Sequence, residues 1–251
     1  MAIGPELIEL DGDLGDREVH VWHIDSKAQE ASIDRLSHLL DRDEHNRAAR
    51  FLVPDPRVQF ILSRACLRIA LGQYLRIAPR EVRFRAAEHG KPELMEPVGL
   101  HFNLSHTDGA TLIAVTRAGR IGVDVERIRQ NLEPLALGAR FFSQKESEWL
   151  QSQPVSQHFA AFFACWTAKE AYVKACGEGL STPLSGFGVL PHPGHAELQL
   201  EIYGKPEESK RWSMWQLDLG QDLRGAVAVE AVDCELRLGH WPSVLPDFHS
   251  K

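Results

Sequence analysis

Apolar and polar positions change period several times along the chain, and each change predicts an element. Around Val19, Val21 and Trp22 the two kinds of position alternate, which predicts a strand over 19–24. Charge is dense over 41–50 and predicts a solvated helix. Asp55-Pro56 reads as an N-cap with proline in the first turn. Behind it, Phe60, Ile61, Ala65, Ile69 and the run 71–75 form the apolar stripe of a long amphipathic helix, with Arg64 and Arg68 beside that stripe. Short apolar runs at 82–84, 100–104, 111–115 and 121–125, separated by turns rich in Gly and Pro, predict strands. A second helical block covers 143–150 and 158–176, before strand-like runs at 187–190, 198–202, 212–217 and 226–232. Beyond Gly239 the pattern weakens and a loose tail is expected.

Strand, helices and strands, followed by helices and strands again, is the order of an α+β fold in two halves; a parallel α/β sheet would alternate element by element. The division falls near 117–120, giving an N-terminal half over 1–119, a C-terminal half over 120–240 and a tail over 241–251. Composition adds that the 251 residues, 43% hydrophobic and 25% charged, suffice for a folded core and exclude a fibrous or disordered chain. A net charge of −7 argues against nucleic acid as the main partner. No apolar run reaches the roughly 18 residues of a membrane span, and the acidic first 25 residues do not resemble a signal peptide. A cytoplasmic, membrane-free protein is expected, with Cys66, Cys165, Cys176 and Cys234 reduced because no C-x-x-C pair occurs.

Three clusters carry candidate chemistry. In the apolar run 121–126, Asp124 and Glu126 alternate with Val125, so strand geometry points both carboxylates to one face, where they repel unless a cation lies between them. A hard divalent ion is the simplest counter-charge; magnesium, satisfied by a few carboxylates, water and phosphate oxygens, implies a phosphate-bearing ligand. A solvated strand edge is the ordinary alternative. In the second cluster, Trp166 to Lys174, Glu170 and Lys174 are spaced i,i+4 on a helix whose Phe162, Phe163, Trp166 and Tyr172 mark it as buried. A surface ion pair has the same spacing. The third comprises Gly90-Lys91-Pro92 and Phe102-Asn103-Leu104-Ser105-His106, each an ordinary turn or strand end when taken alone.

Together and in this order, these segments resemble the Sfp-type 4′-phosphopantetheinyl transferases, whose motifs are G-K-P, F-N-x-S-H, G-[IV]-D-[IV]-E and W-x-x-K-E-[AS]-x-x-K followed by G-x-G-L. They stand here at 90–92, 102–106, 122–126 and 166–180. The resemblance implies two pseudo-twofold-related α+β halves with coenzyme A in the cleft between them. It also implies Mg²⁺-dependent transfer of phosphopantetheine to a serine of an apo acyl or peptidyl carrier protein, releasing adenosine 3′,5′-bisphosphate. Residue by residue, Asp124, Glu126 and Glu170 match the family's metal ligands, and Glu170 also matches a candidate base for the serine. Lys174 matches the lysine at the diphosphate. Lys91, Ser105 and His106 match residues around the adenosine phosphates, and Arg47, with Arg64 as a neighbouring alternative, matches a basic residue at the 3′-phosphate.

Ser143 and Glu146 have the S-x-x-E spacing of a capping box, which accounts for them better than a catalytic base does. His192 and His195 read as a loop. The chain length suggests a monomer acting in secondary metabolism or with broad carrier specificity. Two other functions stay open: a magnesium-dependent hydrolase of the CoA diphosphate, which the same metal and lysine would serve, and a CoA-binding or carrier-binding protein without catalysis.

Overall fold

The computed structural model describes residues 13–86, 92–96, 98–177, 183–191 and 196–241. The first part of the chain contains β1 (Glu18–Asp25), the short helices α1 (Ser26–Gln29) and α2 (Ile33–Ser37), α3 (Arg42–Ala48) and α4 (Pro54–Leu75). It continues through β2 (Phe84–Ala86), β3 (Pro92–Leu94), β4 (His101–Thr107) and β5 (Ala110–Thr116). The second part contains β6 (Ile121–Arg127), α5 (Pro134–Phe141), α6 (Gln144–Ser152), α7 (His158–Cys176), β7 (Phe187–Pro191) and β8 (Leu198–Ile202). It ends with α8 (Pro206–Ser209), β9 (Ser213–Leu217), β10 (Leu223–Val229) and β11 (Glu235–His240).

Two sheets lie back to back between two long helices. One has the order β11-β1-β5-β4, the other β6-β10-β9, and β2-β3 and β7-β8 form separate pairs. Period two sorts the side chains into layers. Trp22, Ile24, Ile113 and Val115 pack outward with Leu62, Cys66 and Ile69 of α4. Val19, Val21, Leu112 and Ala114 pack inward against Val123, Val125, Val227 and Val229 of the other sheet. Ala226 and Ala228, from the far face of β10, pack against Ala171 and Ala175 of α7. Both faces of β5 are covered, so all its residues are buried and the sequence there is a continuous apolar run. The architecture is α+β, each half supplying a sheet and a long covering helix.

Several details depart from the sequence expectations. β11 leaves the second half and pairs in parallel with β1, from Glu18↔Glu235 to His23↔His240. A loose chain after Gly239 is therefore not found as far as Trp241, which is buried and meets Trp22 edge-on at 6.1 Å; residues 242–251 lie outside the described residues. α4 begins one residue before Asp55, with Pro54 in its first turn and Val53 as N-cap, because proline needs no amide partner there. The helix expected to be solvated, α3, is capped by a reciprocal Asp41–Glu44 box and buries Glu44. Glu44 accepts from Arg64 Nε at 2.6 Å and Arg68 Nε at 2.8 Å, so the arginines beside the α4 stripe bind α3 to it. Among the described residues no helix is long and apolar enough to cross a membrane.

Candidate active site

The site forms where β4, β6 and α7 meet. On β6 the alternation that turns Val123 and Val125 into the core between the sheets turns Gly122, Asp124 and Glu126 toward α7. Gly122 is the point of closest approach: a Cβ there would collide with Ala171 O and Ala175 N of the helix. With β6 lying against it, α7 presents Trp166, Glu170 and Lys174, spaced by one helical turn each, to the same side. Leu104, Ser105 and His106 of β4 complete an open pocket of about 410 Å³ lined by Asp124, Val125, Glu126, Trp166, Glu170 and Lys174.

At its floor, Lys174 Nζ lies 2.6 Å from Asp124 Oδ1 and donates to Ser105 Oγ at 2.9 Å, while the Ser105 hydroxyl donates to Asp124 Oδ1 at 2.9 Å. Asp124 Oδ2 is buried and has no hydrogen-bond partner among the described residues. Burial and then the Asp124 charge raise the Glu126 carboxyl above its ordinary value, with Arg129 and Lys174 opposing. Burial and Asp124 likewise raise Glu170, against Lys174. Burial and then Lys174 push His106 below the ordinary histidine value. The pocket thus gathers more negative charge than its lysine balances. Among the described residues no three His, Cys, Asp or Glu side chains are preassembled to hold a metal ion. An orphaned carboxylate oxygen beside two carboxyls raised by burial and by the Asp124 charge nevertheless fits a divalent cation that keeps water and phosphate ligands.

The remaining candidates lie elsewhere. Arg47 is exposed on α3, 5.2 Å from the Phe60 ring centroid, and lines a separate open pocket of about 630 Å³ with Asp43, Asn46, Arg50 and Phe51. Arg64 is bonded to Glu44 and stacked on Phe84 at 4.5 Å, so its charge is already used. Lys91, His192 and His195 lie outside the described residues, as does the G-x-G-L segment beyond Gly177, which caps α7 in the left-handed conformation. Ser143 and Glu146 form the capping box that their spacing predicts. The sequence reading missed what sits on that box. Lys169, the motif lysine beside Glu170, turns away from the pocket and is wholly buried, donating to Glu146 Oε1 at 2.8 Å, Glu146 Oε2 at 2.7 Å and Phe187 O at 2.7 Å.

Two sheet-and-helix halves meet where the carboxylates and the lysine converge in one open pocket. Comparison with known proteins gives the class. A family model described as 4′-phosphopantetheinyl transferase superfamily matches residues 120–228, and one described as 4′-phosphopantetheinyl transferase, N-terminal, matches residues 26–118. The 4′-phosphopantetheinyl transferase HetI of Nostoc sp. (strain PCC 7120) is 35% identical over 227 residues, covering 89% of this chain and 92% of that protein. The 4′-phosphopantetheinyl transferase ffp of Bacillus subtilis is 29% identical over 192 residues, 75% of this chain and 84% of its own. The 4′-phosphopantetheinyl transferase Sfp of Bacillus subtilis (strain 168) is 26% identical over 184 residues, 73% and 81%. The chain belongs to the 4′-phosphopantetheinyl transferase superfamily, in its Sfp type, and is a 4′-phosphopantetheinyl transferase.

Proposed function

We propose that the enzyme transfers the phosphopantetheine of coenzyme A to a serine of an apo acyl or peptidyl carrier protein, with Mg²⁺, releasing adenosine 3′,5′-bisphosphate. The observation that carries this reading is the convergence of Asp124, Glu126, Glu170 and Lys174 with Ser105 and His106 in one pocket. In the reaction the serine Oγ forms a bond to the β-phosphorus, and the bridging oxygen leaves with its electron pair on the adenosine bisphosphate. The serine proton passes to the Glu170 carboxylate, which lines the same pocket. Lys174 moves from Asp124 onto the diphosphate and stabilises charge developing on the bridging oxygen. Asp124, Glu126 and Glu170 hold the Mg²⁺, which when bound supplies electrostatic stabilisation of the diphosphate. His106 and Ser105, with Lys91 and Arg47, take the adenosine phosphates. We read the protein as a cytoplasmic monomer.

Mass spectrometry of apo carriers incubated with CoA and Mg²⁺ tests this reading. One added phosphopantetheine at the serine supports it. An unmodified serine with CoA cleaved to 4′-phosphopantetheine would instead make the chain a hydrolase, and intact CoA with an unmodified serine a binding protein.

A further inference from the structure

β4 and β6 are the end strands of their two sheets, and no backbone ladder joins them. The amides of Val123, Val125 and Arg127 nevertheless do not go unpaired. Each donates to a side chain of β4: Val123 N to Asn103 Oδ1 at 2.9 Å, Val125 N to Ser105 Oγ at 3.4 Å and Arg127 N to Thr107 Oγ1 at 3.3 Å. The offset is twenty residues at every rung, so the strands run side by side in one direction with alternate β4 side chains standing where ladder carbonyls would. The other β6 amides face β10, in the register Asp124↔Ala226. Side chains therefore set the separation of the two sheets at this seam, and the pocket opens along the same seam, lined by 104–106 on one side and 124–126 on the other.

Of the three rungs, the Asn103 rung is the shortest and is deeply buried, with Asn103 at 6% and Val123 at 0% exposure. Asn103 does not line the pocket. Ser105 is tied to Asp124 and Lys174 as well, so it belongs to the site itself. Resting on the transferase reading, we infer that Asn103 is a positioning residue: through the Val123 amide it fixes where β6 sets Asp124 and Glu126 relative to Ser105 and His106, with Thr107 pinning the far end. Losing the acceptor leaves a buried amide unpaired, and the strand shifts to find another partner. A displacement of about 1 Å at reacting groups costs on the order of 10²-fold in rate.

Threonine and valine are nearly isosteric and differ here in whether they can accept from the Val123 amide, as Thr107 accepts from Arg127. Asn103→Thr and Asn103→Val are compared by kcat and by KM for the carrier protein, at a temperature where both variants are folded. The expected result is that kcat of Asn103→Val lies at least about 10-fold below that of Asn103→Thr. KM for the carrier stays the same in both. A purely structural role lowers both melting temperatures and leaves kcat of the folded protein equal, which overturns the inference. If Asn103→Val does not fold, Thr107→Val measured against wild type reads the same seam, and an unchanged kcat there overturns it equally. A wild-type chain that leaves every carrier unmodified fails the transferase reading itself, and the positioning role with it.

Discussion

Replacing Glu146 by Gln separates a fold-holding carboxylate from a catalytic one. Both oxygens are fully used: Oε1 accepts from Lys169 Nζ and Val189 N, each at 2.8 Å. Oε2 accepts from Lys169 Nζ at 2.7 Å and from Ser143 N and Ser143 Oγ, each at 2.8 Å. An amide can keep its oxygen at one of these positions. Its best orientation preserves the cap and turns an NH₂ group against two donors, Val189 N and Lys169 Nζ. Lys169 then stays wholly buried without a carboxylate, although burial already draws it below the ordinary lysine value against the pull of Glu146. Breaking a buried ion pair on one side costs about 3–5 kcal/mol. In a chain of this size about 2–4 °C is lost per kcal/mol, so Glu146→Gln should melt about 6–20 °C lower. Turnover of the folded enzyme should stay close to wild type, because Glu146 does not line the pocket. Adding Lys169→Met removes the stranded charge, and the double variant should melt above the sum of the single losses. Thermal melts by circular dichroism, with turnover measured below both transitions, decide the matter. A melt unchanged within about 2 °C together with a 10²-fold fall in turnover, a size typical of a lost acid or base, would refute this reasoning and make Glu146 a base.

Gly122→Ala should lower both melting temperature and kcat, the latter by about 10-fold or more, because its Cβ would drive β6 from α7 and move Asp124 away from Glu170; equal kcat in the folded variant would show that this contact does not set the site. Lys174→Met should reduce kcat by about 10²–10³-fold while KM for CoA changes little, as expected for a donor acting on developing charge; a raised KM with unchanged kcat would make it a ground-state binder. Asp124→Asn should weaken Mn²⁺ binding, followed by electron paramagnetic resonance of the free ion, by more than the roughly 10- to 100-fold typical of an outer-sphere partner; unchanged binding would remove Asp124 from the ligands. Stability should fall as pH drops below 6.5, because His20, His23 and His106 are all lowered, chiefly by burial, and the unfolded chain then binds protons that the folded one refuses. Urea titrations at several pH values should show a shallower loss for His20→Gln, and an identical slope would take His20 out of the account.

Most strands were legible as apolar runs between turns, and the longest runs, in β5, β6 and β10, reflect burial on both faces. β11 was not legible. Its Leu236 and Leu238 alternate with Glu235 and Arg237, a pattern too polar to stand out, and Arg237 is charged because it reaches across to Glu18 at 2.8 Å. Parallel pairing with a strand more than two hundred residues earlier leaves no local signal at all. The short amphipathic α5 between two recognised segments was passed over for a different reason: eight residues make barely two turns, too few for the helical period to stand out.

The site was legible to a different degree on each of its elements. Period two brought Asp124 and Glu126 to one face of a strand and i,i+4 spacing brought Glu170 and Lys174 to one face of a helix, but only the family resemblance implied that these faces share a site with Ser105 and His106. Neither showed which charge meets which: Lys174 pairs with Asp124 on the facing strand at 2.6 Å, a contact that depends on how closely Gly122 lets strand and helix approach. Lys169 carried a signal that was open to reading. If Trp166, Glu170 and Lys174 share one side of α7, Lys169 lies about 100° away, on a face otherwise apolar through Phe162, Cys165 and Tyr172. A buried ammonium there needs a carboxylate. Glu146, already tied down as the third residue of a capping box, is the acceptor it finds, so one glutamate both starts α6 and fixes α7 against it. The neighbouring motif positions 169 and 170 thus divide the work: the lysine ties α7 to the cap of α6, and the glutamate faces the pocket.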